Sequence, residues 1–229
     1  MEVVLLELIN VRQGTLSRVL EPSPDSYAVF RPYFSNNTRN KLHRRRRKME
    51  LRISHEQDLE QILAVHAAAF GGRKGEEIAH LVNDLLIDST ALPLLSIVAT
   101  VTNSIVGHVI FSKAKLTNPD QAVSTVILAP LAIHPDFQCR GIGGKLIKYG
   151  LTKLLTAGVE LVFVLGHPTY YPKHGFCVAG KHGFDAPYPI PDEHADAWMV
   201  QELRSGVIGS VRGRVQSSDV LNQPQHWRE

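Results

Sequence analysis

Residues 128–157 read LAPLAIHPDFQCRGIGGKLIKYGLTKLLTA, and three kinds of local chemistry follow one another along them. Ile127, Leu128, Ala129, Leu131, Ala132 and Ile133 form a nearly unbroken apolar run, the pattern of a strand covered on both faces of a sheet. Gln138, Cys139, Arg140, Gly141, Ile142, Gly143 and Gly144 then bring glycines whose missing Cβ lets backbone N–H groups come close to a ligand. Beyond them Ile142, Leu146, Ile147, Gly150, Leu151, Leu154 and Leu155 recur at three- and four-residue steps, with Lys145, Lys148, Thr152 and Lys153 opposite. That spacing predicts an amphipathic helix. Unpaired N–H groups at the start of such a helix, together with the positive end of its dipole, favour an anion by about 0.3–1 kcal/mol. The turn is expected to hold phosphate.

Two familiar phosphate-holding glycine patterns do not fit. The Walker pattern needs Ser or Thr after its lysine, and Lys145 is followed by Leu146. The dinucleotide pattern counted from Gly141 and Gly143 needs a third small residue where Leu146 stands. What is left, Gln138-x-x-Gly141-x-Gly143, resembles the Gln/Arg-x-x-Gly-x-Gly/Ala turn of the GNAT superfamily of N-acetyltransferases. A second segment, Tyr170-Tyr171-Pro172-Lys173-His174-Gly175-Phe176, resembles the closing Tyr-x-x-x-Gly-Phe of the same superfamily, in which the tyrosine four before the glycine corresponds to Tyr171. The order strand, two helices, antiparallel strands, central strand, helix, parallel strand resembles that fold from about Met49 to Leu203.

The resemblance implies an α/β (α+β) GNAT fold: a mixed central sheet flanked by helices, with parallel strands splayed at an acyl-CoA site. It implies acetyl-CoA as co-substrate, its pyrophosphate at Gln138, Cys139, Arg140, Gly141, Ile142, Gly143 and Gly144, and its pantetheine arm on the backbone of Leu131, Ala132 and Ile133. It also implies an amine-bearing acceptor and direct attack in a ternary complex. A branched side chain at Gly143 is expected to stand where phosphate must sit.

Acetyl transfer needs a held donor, a free amine and a proton for the departing thiolate. A phenol with pKa near 10 can protonate an alkyl thiolate within hydrogen-bond reach, and the resemblance gives that role to Tyr171. An alkyl ammonium is about 3.4 pKa units from neutral at pH 7, roughly 4.6 kcal/mol to be offset by a base or a desolvating pocket. Glu76, Glu77 and His134 are candidates, and the residues choose none of them. His174, Cys177 and His182 lack the paired spacing of a zinc site, so no metal is expected.

Charge divides the chain. Residues 1–48 hold ten Lys or Arg against four acids, a net of +6, whereas the remaining 15 basic and 18 acidic residues sum to −3. Residues 1–48, rich in Pro, Ser and Asn and ending in Arg44 to Lys48, read as a disordered basic extension, and 49–229 as the catalytic domain. A nucleic-acid role would rest on that extension alone. A coenzyme-binding sensor without catalysis is the other alternative. Two cysteines, no secretory signal and no apolar run near 20 residues point to a reducing compartment, the cytoplasm, and no membrane span.

The periodicities from Met49 onward predict a strand over 50–54 and a capping box from Ser54 to Gln57. A helix follows with Ile62, Leu63, Val65, His66, Ala69 and Phe70 inward, then a second helix over 75–86. Strands are expected over 94–101 and 105–111 about a turn at 102–104 and over 161–165, while 197–203 and 207–215 read as closing strands or a short final element.

Overall fold

Alternating and continuous apolar runs produce the expected order of elements in the computed structural model, which describes residues 48–117 and 122–227. The expectations for residues 1–47 and for the loop at 118–121 lie outside the described residues. Strand β1 (Met49–Ile53) leads to α1 (Leu59–Phe70) and α2 (Gly72–Ile87), then β2 (Leu95–Val101), β3 (Ser104–Leu116) and β4 (Thr125–Ile133). Helix α3 (Ile142–Thr156) and β5 (Leu161–Leu165) follow, then β6 (Cys177–Val178), β7 (Phe184–Asp185), β8 (Trp198–Glu202) and β9 (Gly213–Gln216).

Hydrogen-bonded neighbours run β1-β2-β3-β4-β5-β8-β6, with β9 beside β3 and β7. The β2–β3 hairpin closes on Thr102 and Asn103 alone, both at positive φ (52° and 66°), so Ser104 belongs to the strand. Strand β3 runs on past Phe111 because Ser112, Lys113 and Ala114 pair with β4 and Lys115 and Leu116 with β9. The stretch 207–215 is shorter as a strand than its apolar pattern predicts: Gly209 and Gly213 adopt positive φ and break it.

The helices cover the two faces. Ile62 and Val65 of α1 and Ile78, Leu81, Val82 and Leu85 of α2 pack with Ile110, Ile127 and Ala132. Leu146, Ile147 and Leu154 of α3 pack opposite with Ile97, Val109, Phe111 and Val162. Helix α2 starts at Gly72, a turn earlier than expected, because Gly71 at φ 67° takes the corner and accepts the amide of Gly75. The expected cap at Ser54 is replaced. Asp58 accepts the His55 amide at 2.7 Å, while the Ser54 hydroxyl bonds to Ser96.

The feature that makes room for a ligand is in β4. Between the pairs Val109↔Leu131 and Phe111↔Leu128, Ala129 and Pro130 stand against the single residue Ile110, a bulge. Proline has no N–H for a ladder, so it is tolerated there. β4 pairs in parallel with β5 only over Thr125↔Leu161, Val126↔Val162 and Ile127↔Phe163, and beyond Ile127 the two strands part.

Candidate active site

Three segments converge on the gap between β4 and β5. The first is the free edge of β4. His134 donates its amide to Val106 of β3 at 2.9 Å, so strand alternation turns the backbone groups of Ala132 toward β3 as well, and those of Leu131 and Ile133 toward the gap. The Ile133 carbonyl accepts the side-chain amide of Gln138 at 3.1 Å. Of the three central-strand residues singled out in the sequence, two present main-chain groups to the gap. Ala132 instead contributes packing beneath α1.

The second segment is the glycine turn. Cys139 (φ 57°) and Gly141 (φ 72°) adopt left-handed backbone, and α3 begins at Ile142. A Cβ on Gly141 would meet nothing within 4 Å, so this part of the turn opens outward. Gln138, Cys139 and Arg140 are exposed, and the Arg140 guanidinium lies 5.2 Å from the centre of the Phe137 ring. The amides of the first helical turn have no intrahelical acceptor and form the positive end of α3.

Gly143 and Gly144 face inward. A Cβ on Gly143 would lie 2.5 Å from the Tyr170 hydroxyl, and one on Gly144 would lie 2.6 Å from Cε1 of His174. Their small size admits the third segment to the helix start. A side chain at Gly143 would collide with Tyr170.

That third segment is the short turn Tyr171–His174 after β5. Tyr170 meets Tyr171 and His174 edge to face, with ring centres 5.2 Å apart for the two tyrosines and 4.9 Å for Tyr170 and His174. Tyr171 is fully buried, packed on Gly166 at the end of β5, and its hydroxyl has no hydrogen-bond partner. Burial pushes its phenol far above the ordinary value and that of Tyr170 up to about 12, so both are protonated at neutral pH.

Glu77 pairs with Arg73 at 2.9 Å on the surface of α2, Glu76 is exposed, and His134 Nδ1 accepts the Asp136 amide at 3.3 Å. Sequence reasoning does not single out a pair of buried imidazoles: His66 reads as part of an apolar helix face, and His108 stands in an apolar strand. A histidine inside the run from Ile105 to Phe111 was the available signal. Among the described residues no three of His, Cys, Asp and Glu are grouped for a metal, and no helix is long and apolar enough to cross a membrane. Cys139 and Cys177 are free thiols.

Comparison with known proteins fits this geometry. Residues 94–178 match the family described as acetyltransferase (GNAT) domain. The chain is 42% identical over 169 residues to the uncharacterized N-acetyltransferase YjhQ of Escherichia coli K12, covering 73% of this chain and 91% of that protein. The chain belongs to the GNAT family of acetyltransferases. The E. coli N-acetyltransferase YhbS is 30% identical over 146 residues, 63% of this chain and 83% of its own length. The crystal structure of YhbS in complex with CoA superposes with a TM-score of 0.68 at 27% identity, covering 76% of this chain and 92% of that one. A GNAT acetyltransferase from Brucella melitensis in complex with acetyl-CoA gives 0.60 at 25% identity, covering 76% and 99%. The fold predicted from the two motifs is thus the fold found.

Proposed function

We propose that this GNAT acetyltransferase moves the acetyl group of acetyl-CoA onto the primary amine of an acceptor by direct attack in a ternary complex, in the cytoplasm. The observation that carries this reading is the gap between β4 and β5, bordered by the strand edge of Leu131 and Ile133, by the outward turn at Gly141 and by Tyr170, whose hydroxyl stands against Gly143. Leu131 and Ile133 bind the amide-bearing arm of the coenzyme in the manner of an added strand, with Ala132 setting their spacing. Gln138, Cys139, Arg140, Gly141, Ile142, Gly143 and Gly144 hold the pyrophosphate through main-chain N–H groups and the Arg140 charge.

Tyr171 supplies the proton for the leaving thiolate. A buried phenol with no partner is held neutral and costs free energy until something accepts its hydrogen bond, which suits a donor whose acceptor arrives with the substrate. YhbS in complex with CoA and the B. melitensis enzyme in complex with acetyl-CoA support the same donor here. The test is incubation with acetyl-labelled acetyl-CoA and a panel of amines, peptides and aminoacyl compounds. Label transfer to an amine with release of free CoA is the expected result, and coenzyme binding without transfer to any amine would leave a sensor instead.

A further inference from the structure

The segment after β5 meets the first turn of α3 through two side chains, each received by a glycine. A Cβ on Gly144 would come within 2.6 Å of Cε1 of His174, and one on Gly143 within 2.5 Å of the Tyr170 hydroxyl. At Gly143 the oxygen alone is the obstacle. The Tyr170 ring carbon that bears it and Cδ2 of Leu131 both stand at 3.7 Å, an ordinary contact. Phenylalanine at 170 would therefore tolerate alanine at 143, and alanine is the better helix former of the two. The chain gives up helix stability at this position to admit one oxygen atom.

That oxygen is held in place and left without a partner. The Tyr170 amide donates to the His167 carbonyl at 3.0 Å, its carbonyl accepts the Lys173 amide at 3.2 Å, and its ring lies edge to face with Tyr171 and His174. Backbone and ring are thus fixed, yet the hydroxyl makes no hydrogen bond to the described residues. Unlike the Tyr171 hydroxyl and His174 Nε2, which are closed off from solvent, it remains open to a partner. Burial of the ring pushes the phenol up to about 12, so at neutral pH the hydroxyl carries its proton and can donate it in a hydrogen bond. Its place is a junction: on one side the first turn of α3, whose amides have no intrahelical acceptor, and on the other Leu131, at the edge where β4 parts from β5.

We propose that the Tyr170 hydroxyl is a coenzyme-binding group that donates a hydrogen bond to the phosphate next to the pantetheine arm. This rests on the acetyl-transfer reading, in which the diphosphate lies on the amides of the glycine turn and the arm along Leu131 and Ile133. The phosphate that joins the two belongs at the junction Tyr170 occupies. A neutral hydroxyl donating to an anionic oxygen makes a charge-assisted bond, the stronger kind. The phosphate keeps its charge throughout acetyl transfer, so the bond is equally strong before and during the reaction. Tyr170 accordingly strengthens coenzyme binding and leaves kcat alone, the opposite of the signature expected for Tyr171 one residue later.

The contact is tested by calorimetric titration of the full chain and of Tyr170→Phe with three thioesters: acetyl-CoA, S-acetyl-4′-phosphopantetheine, which keeps only the phosphate next to the arm, and S-acetylpantetheine, which has none. The substitution should weaken the first two by about tenfold or more and leave the third unchanged. The melting temperature of the free variant should be no lower than that of the unsubstituted chain, because the hydroxyl removed has no partner. Equal weakening of all three, the result of a merely structural role, overturns the proposal. So does weakening of acetyl-CoA alone, or of none. With an accepted amine, a fall in kcat at unchanged KM for acetyl-CoA would make Tyr170 the proton donor and overturn it as well. An unsubstituted chain that binds none of the three thioesters removes the acetyl-transfer reading and this contact with it, whereas tight binding of acetyl-CoA by both proteins removes the contact alone.

Discussion

The hydroxyl of Tyr170 occupies the space that a Cβ on Gly143 would need, the two separated by 2.5 Å. This contact ties the segment after β5 to the first turn of α3, and through Leu131, 3.7 Å from the same point, to the open edge of β4. All three borders of the candidate coenzyme site therefore meet at one glycine.

Gly143→Ala should accordingly lower stability by about 1–3 kcal/mol through overpacking and raise KM for acetyl-CoA by displacing Tyr170. The ring carbon bearing the hydroxyl is 3.7 Å from that Cβ, an ordinary contact, so Tyr170→Phe should recover most of the loss in the double variant. Chemical denaturation of the four proteins measures the coupling. Additive effects would show that the two residues do not touch.

Tyr171→Phe should bind acetyl-CoA as before and lose about 10²–10⁴-fold in kcat. Its melting temperature should rise slightly, because the oxygen removed is buried without a partner. Steady-state kinetics with calorimetric binding separates the two effects. Unchanged turnover with chemistry rate-limiting would remove Tyr171 from the reaction.

The buried imidazoles set the acid limb of stability. Their folded pKa values lie below the ordinary histidine value, so below about pH 6.5 the unfolded chain binds protons that the folded chain refuses. Both imidazoles should leave stability unaffected above that pH and lower it as pH drops below 6.5, His108 by about 1.4 kcal/mol per pH unit until its folded value near 3 is reached. Asp58, held at about 2 by Arg52, adds a further loss between its ordinary 3.8 and 2. Melting temperature against pH checks this, and His108→Gln should flatten the curve between pH 6 and 4. A curve flat to pH 4 in the unsubstituted chain would contradict it.

The main elements were legible because their signals are local. The apolar run of β4, the three- and four-residue steps of α3 and the glycines between them needed no tertiary information. Less legible was everything decided by contacts distant in sequence. That Gly143 faces Tyr170 depends on a segment 27 residues later folding back on the helix start. That Ser54 bonds Ser96 instead of capping a helix depends on the register of β1 with β2. That Ala132 turns its backbone to β3 follows from the bulge at Ala129 and Pro130, which no period of apolar residues announces.

Residues 49–229 are proposed to be self-sufficient. Met49 already pairs with Val101 in the β1–β2 ladder, and the basic excess lies before it. A chain shortened to begin at Met49 should keep its melting temperature and its affinity for acetyl-CoA. A loss of more than about 1–2 kcal/mol would mean that earlier residues pack on the domain.

The most direct test of the central claim, that the gap and the glycine turn hold acetyl-CoA, is the melting temperature of the unsubstituted chain titrated separately with acetyl-CoA, ATP and NAD. At 100 times its dissociation constant a ligand of the folded state adds about 2.7 kcal/mol. The expected result is a rise with acetyl-CoA alone. An equal rise with NAD, or no rise with acetyl-CoA, would contradict the account.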